Sequence, residues 1–75
     1  MQIKIINNID KKINEYQDRT GATKKWIAGK LDMSSARLNQ IVHADNLTID
    51  VVVKFAVFLD CSLDDLFKYE IIYDN

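Results

Sequence analysis

The sequence predicts a compact all-α bundle of five short helices, and three observations lead there. Apolar residues recur at helical spacing along most of the chain, and small polar residues of the kind that cap helices stand ahead of the apolar stretches. No Gly-, Ser- or Pro-rich linker divides the 75 residues, so they are expected to form one domain, 1–75.

In the first segment Ile6, Ile9, Ile13 and Tyr16 fall on one helical face. Asn7 or Asn8 can cap this helix, and Gly21 follows its expected end at Thr20. A second helix starts after Thr23 as N-cap and runs to about Leu31, and a third, 35–42, has Ser34 as cap. The polar "HADNLT" reads as a loop, with Thr48 capping a fourth helix from Ile49 to Leu59. After a short break at "DCS", Ser62 caps a last helix, "LDDLF", whose two acids favour the positive end of the helix dipole. The two ends differ in character: "QIKII" and "FKYEIIY" are rich in β-branched and aromatic residues that roughly alternate with polar ones. They are either short terminal strands, paired with each other or with a second chain, or merely extensions of the neighbouring helices or frayed ends.

The stretch "KKWIAGKLDMSSARLNQIV" needs a decision, because Ile27, Leu31, Leu38 and Ile41 stay nearly in phase if it is one helix. One continuous helix would put Ser34 on the apolar stripe and turn Met33 away from it. It would also place Asp32, Ser34 and Ser35 inside a helix, where their side chains compete for backbone hydrogen bonds. A tight turn removes all three objections: Asp32 ends one helix, Met33 enters the core, and Ser34 starts the next. Two helices joined this way form a helix-turn-helix over about 23–42, and the small Ala28 lets them approach closely.

Composition excludes several classes. A 75-residue chain buries only about 60–65% of its unfolded surface, leaving little room for an enclosed catalytic cavity. At 48% apolar it is well supplied for a core, yet no apolar run approaches the roughly 18–20 residues that span a bilayer. The N-terminus lacks the pattern of a secretory signal and Cys61 is the only cysteine, which suits a reducing cytoplasm. An enzyme is not expected: His43 is the only histidine, no metal-ligand cluster is spaced for binding, and no Gly-rich phosphate loop exists. Cys61 reads as a structural thiol, and Asp64 and Asp65 read as capping acids. No cofactor, metal or small-molecule ligand is implied.

Net charge is −1, but it is unevenly distributed. Residues 1–18 are neutral, whereas 19–43 carry Arg19, Lys24, Lys25, Lys30 and Arg37 against Asp32 alone, a net +4. Residues 44–75 carry Lys54 and Lys68 against seven acids, a net −5. The basic third is centred on the helix-turn-helix, as nucleic-acid binding requires.

Here the chain resembles the Cro/C1-type (XRE-like) helix-turn-helix regulators, the proteins related to phage Cro and the lambda-type repressors. "TKKWIAGKLDMSSARLNQIV" follows the family's helix-turn-helix pattern, and "LTIDVVVKFAVFLDCSLDDLF" follows its second half, with Ile49, Ala56, Leu59, Ser62, Leu63, Leu66 and Phe67 in register. The likeness covers residues 6–67. Asp32 replaces the family's turn glycine, and Asp tolerates a left-handed backbone better than most residues. Lys24 replaces a glutamine and Val42 a glutamate, and the loop before Leu47 is one residue shorter.

The resemblance implies a lambda repressor-like DNA-binding fold and a small Cro-like repressor with double-stranded DNA as partner. By position, Ser35, Arg37, Asn39 and Gln40 are expected to face base edges or flanking phosphates, and Thr23, Lys24, Lys25 and His43 to touch the backbone. Arg can pair with guanine, and Asn or Gln with adenine. The competing class is a protein-interaction module, an antitoxin or inhibitor that keeps this fold but binds a protein. A homodimer is also expected, because the fourth helix is apolar nearly all round. Ile49, Val52, Val53, Ala56 and Leu59 fill the core in this reading, while Val51, Phe55, Val57 and Phe58 compete for the remaining room. Val51, Val57, Phe58, Ile71, Ile72 and Tyr73 are then the candidate interface, unless these side chains fold back over "QIKII" within one chain.

Overall fold

A computed structural model describes residues 1–74. The order is β1 (Gln2–Asn7), α1 (Ile9–Thr20), α2 (Lys24–Lys30), α3 (Ser35–Val42), α4 (Ile49–Leu59), α5 (Leu63–Leu66) and β2 (Phe67–Ile72). Five helices are present, but the class is mostly helical rather than all-α, because the two ends form a two-stranded antiparallel sheet. "QIKII" therefore pairs with "FKYEII" of the same chain, with Gln2 opposite Ile72 and Asn7 opposite Phe67. Two expected boundaries change as a result. Ile6 lies in β1 instead of extending the α1 stripe, and Phe67 opens β2 instead of closing the last helix.

Local chemistry sets the helix ends. The Thr23 and Ser34 side chains accept from the backbone N–H groups of Trp26 and Arg37, both at 3.1 Å. Ser62 and Asp65 form a reciprocal capping box at the start of α5. Gly21 ends α1 at φ 76°, donating its N–H to the Gln17 carbonyl at 2.7 Å. Asp32 and Asp60 take the same left-handed conformation, at φ 57° and 54°, after α2 and α4. At α1 the cap is divided between two residues. Asn8 occupies the N-cap position without a side-chain bond, while Asn7 Oδ1 accepts the Ile9 N–H at 2.9 Å.

The core lies between the helices. Ile9 and Ile13 of α1, Ile27 and Ala28 of α2, Leu38, Ile41 and Val42 of α3 and Leu66 of α5 close around Val52, Phe55, Ala56 and Leu59 of α4. The expected packing of α4 needs one correction. Phe55 is fully buried, whereas Ile49 and Val53 are 67% and 41% exposed. The buried stripe is rotated toward the larger side chain, since a phenyl ring removes more apolar surface from water than a valine. Met33 is half-buried against the core, and its N–H reaches the Ala28 carbonyl at 2.9 Å. The break between α2 and α3 thus works as a turn with an apolar anchor. Val42, where the family has glutamate, is buried at the exit from α3.

The molecule is less compact than expected. Its radius of gyration is 13.5 Å and its extents are 47 × 22 × 17 Å, against about 11 Å for the radius of a compact chain of this length. The extra length is the ribbon β1–β2, most of whose side chains are exposed. Directly opposed residues of an antiparallel pair share a face. Ile3, Ile5, Tyr69 and Ile71 therefore form one face, and Gln2, Lys4, Lys68, Glu70, Ile6 and Ile72 the other.

Candidate nucleic-acid interface

The outer surface of α3 is polar and uncovered. Leu38, Ile41 and Val42 anchor the helix in the core, and Ser35, Arg37, Asn39 and Gln40 are all exposed. Ser34 caps α3 by accepting the Arg37 N–H, and residues 34–37 at this positive end of the helix dipole are exposed.

α2 is presented beside it. Thr23, Lys24 and Lys25 are exposed at its start, and His43 is exposed at the C-cap of α3. The structure thus brings all eight expected DNA-facing residues onto the accessible surface of the two helices. Lys24 is not free, because its Nζ lies 3.9 Å from Asp10 Oδ1 of α1. Both groups are 40–49% exposed, so the pair contributes little stability and exchanges readily for another anion.

Two further basic residues are tied to an aromatic row. Tyr16 and Phe58 have ring centroids 5.1 Å apart, and Phe58 and Trp26 6.4 Å. Arg19 lies over Tyr16 at 5.5 Å and Lys30 over Trp26 at 5.3 Å. This row fastens α1, α2 and α4 together at the surface. It was not singled out in the sequence, although Trp26 at an exposed helical position is its visible sign.

Asn7 also escaped the sequence reading, beyond its expected capping role. Its Nδ2 donates to the carbonyls of Ile41 and Ala44 at 3.0 and 2.9 Å, while its Oδ1 accepts from Ile9. The amide therefore ties the foot of the ribbon and the start of α1 to the last turn of α3. No spacing rule signals this contact, which spans 34 and 37 residues.

The residues expected at a dimer interface do not form one patch. Val57 is 75% exposed, but Phe58, about 100° around the helix, is half-buried in the aromatic row. Val51 is half-buried against the core. Ile71 and Ile72 face opposite sides of the ribbon, at 41% and 45% exposure, and Tyr73, just beyond β2, is 71% exposed.

Cys61 is a free, half-buried thiol, held above its ordinary pKa by burial and then by the nearby Asp65 carboxylate. Among the described residues no cluster of His, Cys, Asp or Glu is arranged to hold a metal, and no helix is long and apolar enough to cross a membrane.

Comparison with curated proteins gives no match. A family model, the Cro/C1-type HTH DNA-binding domain, matches residues 12–70, which takes in all five helices apart from the first residues of α1. With the turn, its half-buried methionine and the polar outer face of α3 all in place, the chain belongs to the Cro/C1-type helix-turn-helix DNA-binding domain family.

Proposed function

We propose that the protein is a sequence-specific double-stranded DNA-binding regulator, a small Cro-like repressor that reads the major groove with α3. The observation that carries this reading is the division of α3 into a buried apolar side and an exposed side bearing Ser35, Arg37, Asn39 and Gln40. Arg37 and Gln40 read base edges with Asn39, and Ser35 contacts a base or a flanking phosphate. Thr23, Lys24, Lys25 and His43 hold the backbone and set the register without reading sequence. Family membership and the +4 charge of residues 19–43 support the assignment.

The regulator acts as a symmetric homodimer on an inverted repeat, with its two α3 helices about 34 Å apart, one turn of DNA. The test is selection of a preferred site from random duplexes, followed by titration of variants. Arg37→Ala and Gln40→Ala each weaken the best site by about 1–3 kcal/mol and relax preference at one position. Lys25→Ala weakens all sequences alike and flattens the salt dependence by about one unit of slope. Unchanged affinity and preference in both α3 variants would remove α3 as the reading helix. Failure to shift any duplex at low salt would favour a protein-binding module instead.

A further inference from the structure

The ribbon leaves the helical body with one apolar face uncovered. Ile3, Ile5, Tyr69 and Ile71 on that face are 57%, 45%, 66% and 41% exposed, whereas the opposite face sets Lys4 against Glu70 and Ile6 against Lys68, with Gln2 and Ile72 at its free end. Scattered apolar side chains are ordinary on a protein surface, but a contiguous set on a protruding element is not. A two-stranded ribbon is also marginal in water unless something packs on it. At its foot the same face opens on a groove of 310 Å³, walled by Ile5 and Tyr69 on one side and by Leu47, Ile49 and Leu63 on the other.

We infer that this face joins two copies of the chain, the free end of each ribbon lying in the groove at the foot of the other. The inference rests on the symmetric dimer proposed above and assigns its contact. Three features select a second copy as the occupant. The first is area. Ile3, Ile5, Ile49, Leu63, Tyr69 and Ile71 are each 40–67% exposed, and at roughly 200 Å² per large side chain they offer on the order of 600 Å². That matches the apolar share of a standard interface of about 800 Å² per partner.

The second feature is self-complementarity. One face carries both a projecting apolar end and a hollow, so a two-fold axis across the middle of the ribbons satisfies both twice. The third is charge. Asp45 and Asp64 outnumber Lys68 at the groove, so a phosphate backbone finds no net attraction there and an apolar partner is favoured. The arrangement also has a consequence for reading DNA. Asn7 ties the foot of the ribbon to the end of α3, so a dimer made by the ribbons holds the two α3 helices at one fixed separation.

Sedimentation of the purified protein across micromolar concentrations tests this, with Ile5→Lys, Ile71→Lys and Val57→Lys alongside. All three positions are exposed in the monomer, and circular dichroism checks that each variant folds. The wild type is expected to be a dimer, and either ribbon variant to raise its dissociation constant at least 30-fold. Val57→Lys should leave it unchanged. Hydrogen exchange on the wild type needs no variant, and amides of residues 3–6 and 69–72 should slow as concentration rises. A wild-type monomer overturns the inference, whether or not it captures another protein. So does a dimer broken by Val57→Lys but not by Ile71→Lys, or exchange independent of concentration. The DNA reading is scored separately, since a monomeric Ile71→Lys that still shifts a half-site at low salt leaves it standing.

Discussion

Replacing Asn7 by alanine should destabilise the domain more than any other exposed or half-exposed polar substitution. The side chain makes three hydrogen bonds: donors to the Ile41 and Ala44 carbonyls at 3.0 and 2.9 Å, and an acceptor for the Ile9 N–H at 2.9 Å. Each such bond is worth about 0.5–1.5 kcal/mol net, and a backbone group left unpaired away from water costs more. All three are only partly buried, so water recovers some of the loss, and the expected sum is about 2–3 kcal/mol. A domain of this size is stabilised by roughly 4–11 kcal/mol in all, so the change is a large fraction of the whole. At about 4–8 °C per kcal/mol it lowers Tm by roughly 10–20 °C. Asn8→Ala is the control, because Asn8 makes no side-chain capping bond, and it should stay within about 0.5 kcal/mol. Asn7→Asp should be worse than alanine, since it keeps the acceptor but turns a carboxylate toward two carbonyl oxygens. Thermal melts followed by circular dichroism decide the matter. If Asn7→Ala melts within about 3 °C of the wild type, the amide is not the tie between ribbon and α3 that its geometry implies.

Other expectations follow from the same structure. Asp10→Asn frees Lys24 from its 3.9 Å partner, so affinity for random duplex should rise and its salt dependence steepen, read by titration at two salt concentrations. Phe55→Ala, at a fully buried position, should cost about 3–5 kcal/mol in denaturant unfolding, and Val53→Ala, at 41% exposure, under about 1 kcal/mol. The backbone N–H and hydroxyl of Ser62 hold the Asp65 carboxyl below its usual 3.8. Its contribution is therefore full above that pH and is lost as pH falls through the lower folded-state value. The stability gap between wild type and Asp65→Ala should accordingly be wider at about pH 6 than at about pH 2, and a gap constant across that range would contradict the capping box.

Most of the local structure is legible in the residues themselves. Thr23, Ser34 and Ser62 mark helix starts because a side-chain oxygen on the N-cap satisfies an N–H three residues ahead, a contact contained within four residues. Asp32 and Met33 mark the turn for a similar reason, and that turn identifies the polar face of α3. Charge polarity along the chain pointed to the same helices. Features that depend on partners far along the chain emerge only once the domain is packed. α4 is apolar nearly all round, so periodicity could not tell Phe55 from Val53. The choice fell to the shape of the space left by α1, α2 and α3, which a phenyl ring fills. "QIKII" and "FKYEII" each read as a strand or a helix extension, and only closure of the chain ends on each other made them a ribbon. Asn7 could be placed as a cap from its neighbours, but its bonds to Ile41 and Ala44 exist only once the folded helices bring those carbonyls beside it. A side chain's local bonds follow from its neighbours in sequence, whereas its long-range bonds follow from the packing of the whole domain.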